Sequence, residues 1–445
     1  MRDLELLRHL IVVAALLLTA TTWAGDEFEQ APIRYSASRP ENSISRLQAG
    51  IDRGDKELKY ADAHGYLPAL LEALEVPVES QTLVFSKTSL QTRRISPRTP
   101  RAIYFNDEVY VGYCQSGDVL EISTADPQLG AVFYTLGQQQ EDKPRFERQV
   151  DNCLVCHSSS RTEGVPGHLV RSLFVDAGGQ PIFSAGSRTV DHTTPLEDRW
   201  GGWYVTGRHG SQTHMGNLAI RGRDVPRPLD NLQGHNVLQL KDRLSVDKYL
   251  TPHSDIVALM LLEHQVLVHN CLTKANFATR QALDYDATMR QALREPEGKR
   301  LDSTNRRIQS ACDDLVDALL LVGEAPLTAP LSGTSGYAEK FRRSGLRDGQ
   351  GRSLRDLDLT GRLFKYPCSY LIYSKAFDGL PGEARDQVWQ RLGKILSGED
   401  KSEKFSHLGA SDRRAIAEIL CATKPGIPED WGQNLGTAEA VQKAK

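Results

Sequence analysis

At 445 residues, with 25% charged and 40% hydrophobic residues, a formal net charge of −3 and a pI near 6.5, the chain has the composition of an ordinary soluble globular protein. Its length provides for two or three domains and a full core without staples. The near-balanced charge supplies no general field for nucleic acid or an anionic membrane, so neither is expected as a partner.

The N-terminus predicts export. Arg2 and Arg8 flank a short polar region in which Asp3 and Glu5 offset them, Leu10 to Leu18 is an unbroken apolar run, and Thr22-Trp23-Ala24 is a small-x-small site before Asp26-Glu27. The run is short for a bilayer span, so residues 1–24 are expected to be a cleaved signal peptide that leaves no stable membrane span. No cysteine follows it to accept a lipid, and the expected destination is the periplasm.

Residues 25–140 predict a mixed region. Ile44, Leu47 and Ile51, then Leu67, Leu70, Leu71 and Leu74, recur at helical spacing. From Thr82 the pattern changes to strands at 83–85, 102–105, 109–113, 119–122 and 132–134, separated by turn residues, which together predict an antiparallel sheet. Asn106-Asp107 and Gly117-Asp118 fit hairpin turns better than a cation site.

Residues 141–243 hold the densest chemistry. After the charged segment Glu141 to Arg148 comes Cys153-Leu154-Val155-Cys156-His157, a C-x-x-C-H motif. At this spacing each thiol can close a thioether on one haem vinyl group, and the adjacent histidine is held under the iron as its proximal ligand. A C-x-x-C pair also serves as half a zinc site, a redox dithiol or part of a disulfide set. Zinc normally asks for a second Cys/His pair, and none of Cys114, Cys271, Cys312, Cys368 and Cys421 has another cysteine within four residues. A redox dithiol wants a buried strand before it, whereas the flanks here are polar.

On Cys153, Cys156 and His157 the chain resembles an exported c-type cytochrome. The remainder is similar to large bacterial proteins that carry one such motif. The resemblance implies a single covalent haem c, attached outside the cytoplasmic membrane, which agrees with the signal peptide. Five cysteines would then remain for at most two disulfides. Downstream, His168 to Val175 and Pro181 to Phe183 read as strand-like pieces around a Gly178-Gly179 turn, so the haem is expected at the edge of an α+β scaffold.

Trp200 to Asn217 combines glycines with two tryptophans and a tyrosine, and offers three candidate iron ligands, His209, His214 and Met215. The separation of Met215 from His157 is similar to that of the loop methionine in small c-type cytochromes, which makes Met215 the first candidate for the sixth ligand. The alternative is a Gly/aromatic loop packed on the sheet with its histidines at the surface. Arg161, Arg171, Arg188, Arg199 and Arg208 are candidate partners for the haem propionates.

Residues 244–425 turn helical, and 426–445 read as a frayed tail. Between Asp255 and Cys271 one arc holds Ile256, Val257, Met260, Leu261, Leu267, Val268 and Cys271 with His264 among them. His264 is either a core histidine hydrogen-bonded to a neighbour or a distal residue facing the haem, with Met260 one turn before it. Glu263, Gln265, His269 and Asn270 fall on the other side, which suits exposure or a second interface. The helix is expected to reach Arg294, break at 295–298, and return over 301–322. Short helices are expected over 385–397 and 410–421.

The fold class is therefore α+β, an antiparallel-sheet N-terminal and haem region followed by a mainly α-helical C-terminal part. The first functional expectation is electron transfer through one haem c, with a redox partner protein or a small-molecule electron donor or acceptor. The alternative is a haem-dependent oxidoreductase or small-ligand sensor with an open or labile sixth iron position, where His209, His214 or His264 would act on the bound species. A third alternative is a binding protein with an oxidised C-x-x-C.

Overall fold

The computed structural model describes residues 27–222, 224–226, 229–294, 300–428 and 431; the expected signal peptide, the expected break at 295–298 and most of the expected tail lie outside the described residues. Two helices open it. α1 (Ser43–Arg53) starts at Asn42, whose side chain accepts from the Ile44 and Ser45 amides while Ser45 Oγ accepts from the Asn42 amide, and it ends at Gly54 with φ of 82°. α2 (Leu67–Ala73) follows with proline in its first turn. Both set their leucines and isoleucines on one face of the sheet.

The sheet has seven strands in the order β6-β5-β4-β3-β2-β1-β9, each neighbour antiparallel. They are β1 (Thr82–Val84), β2 (Arg101–Phe105), β3 (Val109–Tyr113), β4 (Val119–Asp126), β5 (Gly130–Gly137), β6 (Phe146–Gln149) and β9 (Trp203–Tyr204). A separate pair joins β7 (Arg171–Leu173) to β8 (Ser187–Thr189). The expected turns are present: Asn106 Oδ1 accepts from the Glu108 and Val109 amides, and Asp176 Oδ1 accepts from the Gly178 and Gln180 amides. Pro181 to Phe183, expected as a strand, contributes only a bridge from Pro181 to Val175 before a 3-10 turn begins at Phe183.

Between β6 and β7 the single turn α3 (Leu154–His157) carries the last four residues of the C-x-x-C-H motif, and the second half of the chain is helical: α4 (Ile256–Leu293), α5 (Asp302–Leu319), α6 (Tyr337–Arg343), α7 (Lys375–Asp378), α8 (Gly382–Leu396) and α9 (Ala410–Thr423). α4 is the axis of the molecule. Asp255 caps it by accepting from the Val257 and Ala258 amides and also receives the Thr334 and Ser335 amides, so the helix start is tied to the loop before α6. Its first half is long and apolar enough to cross a membrane, yet 94% of that window is buried inside the protein, which identifies it as a core helix.

Burial around α4 corrects one expectation. Glu263, Gln265, His269 and Asn270 are buried, because α4 lies between the sheet on one side and α5, α6 and α8 on the others. Each of these side chains makes at least one bond: Glu263 bonds Arg199, Gln265 donates to Asn106 O at 2.8 Å, Asn270 exchanges bonds with the His168 backbone, and His269 meets Tyr110, while Glu263 Oε2 and His269 Nε2 have no hydrogen-bond partner among the described residues.

Candidate functional site

The motif is built on a single helical turn. β6 precedes it, a half-exposed edge strand where none was expected, and Cys153 occupies the N-cap of α3. Leu154 anchors the turn in the core, Cys153 and His157 are half-buried, and Cys156 and Val155 are exposed, Val155 to 81%. The amide of His157 donates to Cys153 O at 3.0 Å, which fixes the five residues as one unit.

The imidazole is clamped from behind. His157 Nδ1 lies 2.9 Å from Gly167 O, and the Gly167 amide returns a bond to His157 O at 2.8 Å. A carbonyl only accepts, so Nδ1 carries the proton and Nε2 keeps its lone pair. Burial holds the His157 pKa below the usual imidazole range, which favours this neutral form. A neutral ring oriented through its second nitrogen is the form in which histidine ligates a metal. Only glycine serves at 167, since a Cβ there would sit 2.5 Å from Asn270 Oδ1 and 2.9 Å from Thr162 Cβ. The Phe133 ring packs on the imidazole at 4.8 Å.

Sheet residues supply the electrostatics around the motif. Arg101 on β2 reaches across Gly112 on β3 to Glu121 on β4 at 2.8 Å, and a Cβ on Gly112 would meet the guanidinium at 2.4 Å. Both charges act on Cys153 and His157. On the other side Arg171 and Arg161 act on one another, and Arg171 also feels Cys156. Arg171 donates to Ser187 Oγ at 2.6 Å, and its guanidinium lies 5.7 Å from the ring of Phe183, which is 63% exposed. Val155 exposes apolar surface between the two thiols, Phe183 exposes a ring beside Arg171, and Arg161 and Arg171 give positive charge. These are the components a porphyrin with propionates requires.

Cys153 and Cys156 are free thiols, as are Cys114, Cys271, Cys312 and Cys368. Burial pushes the Cys153 thiol up to about 11, the opposite of what a reactive redox dithiol needs. Among the described residues no three His, Cys, Asp or Glu side chains are placed to hold a bare metal ion.

The candidate sixth ligands fall in other places. Met215 Sδ accepts from Ser172 Oγ at 3.6 Å, its methyl abuts Gly201, and its amide donates to Arg199 O. Successive strand residues face opposite ways, so Ser172 turns Met215 to the side of β7 away from Arg171, the residue that feels Cys156. His209 and His214 are buried rather than at the surface, and with His235 they form a triangle with centroid distances of 4.7, 5.5 and 5.2 Å. His209 Nε2 accepts from the Asn236 amide and His214 Nδ1 from the Gly216 amide, so these rings knit the glycine-rich loop. His264 is a hydrogen-bonded core histidine, with Nε2 2.8 Å from Ser369 Oγ and Nδ1 3.2 Å from His192 Nδ1. Met260 is buried in the core beside it.

The arginines divide likewise. Arg199 is buried against Glu263, and its Nε donates to Thr194 O at 2.7 Å, so it is committed away from any propionate. Arg188 pairs with Asp198 at 3.2 Å. Sequence reasoning missed Arg101, Glu121, Phe133, Gly167 and His168. No local pattern marks them, because they meet the motif through the sheet and through a loop return.

Comparison with family models, with curated proteins and with solved structures finds no match to this chain.

Proposed function

We propose that the chain is an exported mono-haem c-type cytochrome, with one haem c joined to Cys153 and Cys156 and His157 as proximal ligand. The observation that carries this reading is the His157 clamp: a neutral imidazole, proton on Nδ1 against Gly167 O, standing one residue from an exposed thiol and one helical turn from a half-buried one. When bound, the haem supplies a one-electron couple and, where its sixth position is open, a site for a small ligand. The protein's part is to fix the imidazole, to set Arg161 and Arg171 for propionates and to hold Arg101 and Glu121 as a charge pair beside the thioether side. A redox partner protein or a small-molecule electron donor or acceptor completes the reaction.

The open-iron version of this reading, a haem-dependent oxidoreductase or small-ligand sensor, is favoured by the hydrogen bonds that tie Met215 to Ser172, His209 to the Asn236 amide, His214 to the Gly216 amide and His264 to Ser369. Visible spectra of the oxidised, reduced and carbon monoxide-treated holoprotein separate the two versions. Reduced protein that responds to carbon monoxide, with the same spectra in Met215→Ala, supports an open or labile position. A carbon monoxide-indifferent low-spin spectrum that turns high-spin in Met215→Ala would make Met215 the sixth ligand and restore simple electron carriage.

A further inference from the structure

Behind the proximal histidine the rings form a continuous file. The centroid steps from His157 are 4.8 Å to Phe133, 6.2 Å to His168, 4.3 Å to Tyr110, 6.3 Å to Phe105 and 5.5 Å to Tyr337. Tyr337 lines a cleft of about 890 Å³ bounded by α1, the end of α2, the β2–β3 turn and α6. The file therefore joins the motif to a second opening of the molecule.

Tyr110 is the member of that file with a base on its hydroxyl. Its oxygen lies 2.8 Å from His269 Nδ1, and both side chains are buried. With the phenol donating, Nδ1 is bare and His269 carries its proton on Nε2, which has no hydrogen-bond partner among the described residues. Burial lowers His269 to about 4, so the ring is neutral at pH 7 and able to accept. A phenol gives up an electron readily only if its O–H proton leaves at the same time. Here the acceptor is already in hydrogen-bonding contact.

We infer that Tyr110 and His269 form a proton-coupled redox pair that relays single electrons between the haem held at His157 and a reductant at the Tyr337 cleft. The inference rests on the proposed haem, in its open-iron form. The oxidant is of the peroxide class: hydrogen peroxide takes two electrons and two protons to become two waters. One electron comes from the iron and one from Tyr110, and the two protons come from solvent. As Tyr110 is oxidised its O–H bond breaks and the proton passes to His269 Nδ1, leaving a neutral phenoxyl radical beside an imidazolium. A one-electron reductant such as ascorbate, at the cleft, returns the electron, and the proton moves back from His269 to re-form the O–H bond; a second equivalent of the reductant, relayed through the same pair, replaces the electron drawn from the haem, so two equivalents are consumed for each peroxide. A buried imidazolium is unfavourable, which drives that return.

The test is hydrogen peroxide added to the ferric holoprotein, frozen within seconds, with the visible and electron paramagnetic resonance spectra taken on one sample. A tyrosyl signal is expected in the wild type. Tyr110→Phe, which keeps the ring packing, abolishes it. His269→Gln, which still offers the hydroxyl an acceptor but takes no proton, weakens it several-fold, and Tyr285→Phe, half-exposed on α4, leaves it unchanged. Should Tyr110→Phe fail to fold, the wild type answers alone, because a radical at Tyr110 carries one deuterium-exchangeable coupling from the His269 hydrogen bond. Haem-bearing protein with no tyrosyl signal, with a signal that survives in Tyr110→Phe, or with no such coupling overturns the relay. A visible spectrum without covalent haem overturns the haem reading and the relay together.

Discussion

Gly167 decides whether His157 can stand as a ligand. The carbonyl that accepts the hydrogen bond from Nδ1–H belongs to a residue with no room for a side chain, between the Asn270 amide and Thr162. Gly167→Ala should push this loop off the imidazole at a cost of about 1–3 kcal/mol of stability. The expected result is haem that is still attached through Cys153 and Cys156 but has a shifted visible spectrum and exchanges its proximal ligand more readily; an unchanged spectrum would show that the clamp does not orient the ring. The five residues of the motif were legible in the sequence because their chemistry is contiguous. Gly167, Phe133, Arg101 and Glu121 were not, since no spacing rule links a loop glycine or a sheet residue to a helix it meets only after folding.

Among the elements, α4 shows where periodicity ends as a guide. Its apolar arc and its end near Arg294 followed from spacing and capping signals. The polar flank was read as free for solvent, because an amphipathic pattern says which side is apolar and not what covers the other side. Glu263 on that flank bonds the Arg199 guanidinium in full burial, and burial lifts its carboxyl to about 7 against the pull of Arg199. Glu263→Ala leaves a guanidinium buried without its counter-charge and should cost about 3–5 kcal/mol in urea unfolding. Glu263→Gln, which still accepts a hydrogen bond, should cost less. Equal losses for the two variants would mean that packing rather than charge dominates.

Over the whole molecule, buried neutral histidines set the response to acid. Burial lowers His168, His192, His209, His214, His264 and His269, with His192 and His269 at about 4. Unfolded histidine titrates near 6.5, so above that pH these groups cost nothing. As pH falls below it the unfolded chain takes up protons that the folded chain refuses, and stability is lost at about 1.4 kcal/mol per pH unit per group until each folded pKa is reached. Glu263 and Glu324, both raised to about 7, act in the opposite direction, because the folded chain binds their protons first. Six histidines outweigh two carboxyls, so the melting temperature should fall steadily from pH 6.5 to pH 5. A flat profile over that interval would contradict the neutral, buried state of these rings.

At the same scale the α+β class and the succession of strands then helices were readable from alternation and period. The strand that ends the sheet beside β1 was not, because β9 is two residues long and pairs with β1 across more than a hundred positions.

The most direct measurement is the intact mass of the mature protein, produced with a haem-attachment apparatus and denatured before analysis. The expected result is one haem per chain, retained on denaturation and lost in Cys153→Ser/Cys156→Ser. A colourless chain of bare polypeptide mass, with Cys153 and Cys156 as thiols or joined to one another, would contradict covalent haem attachment.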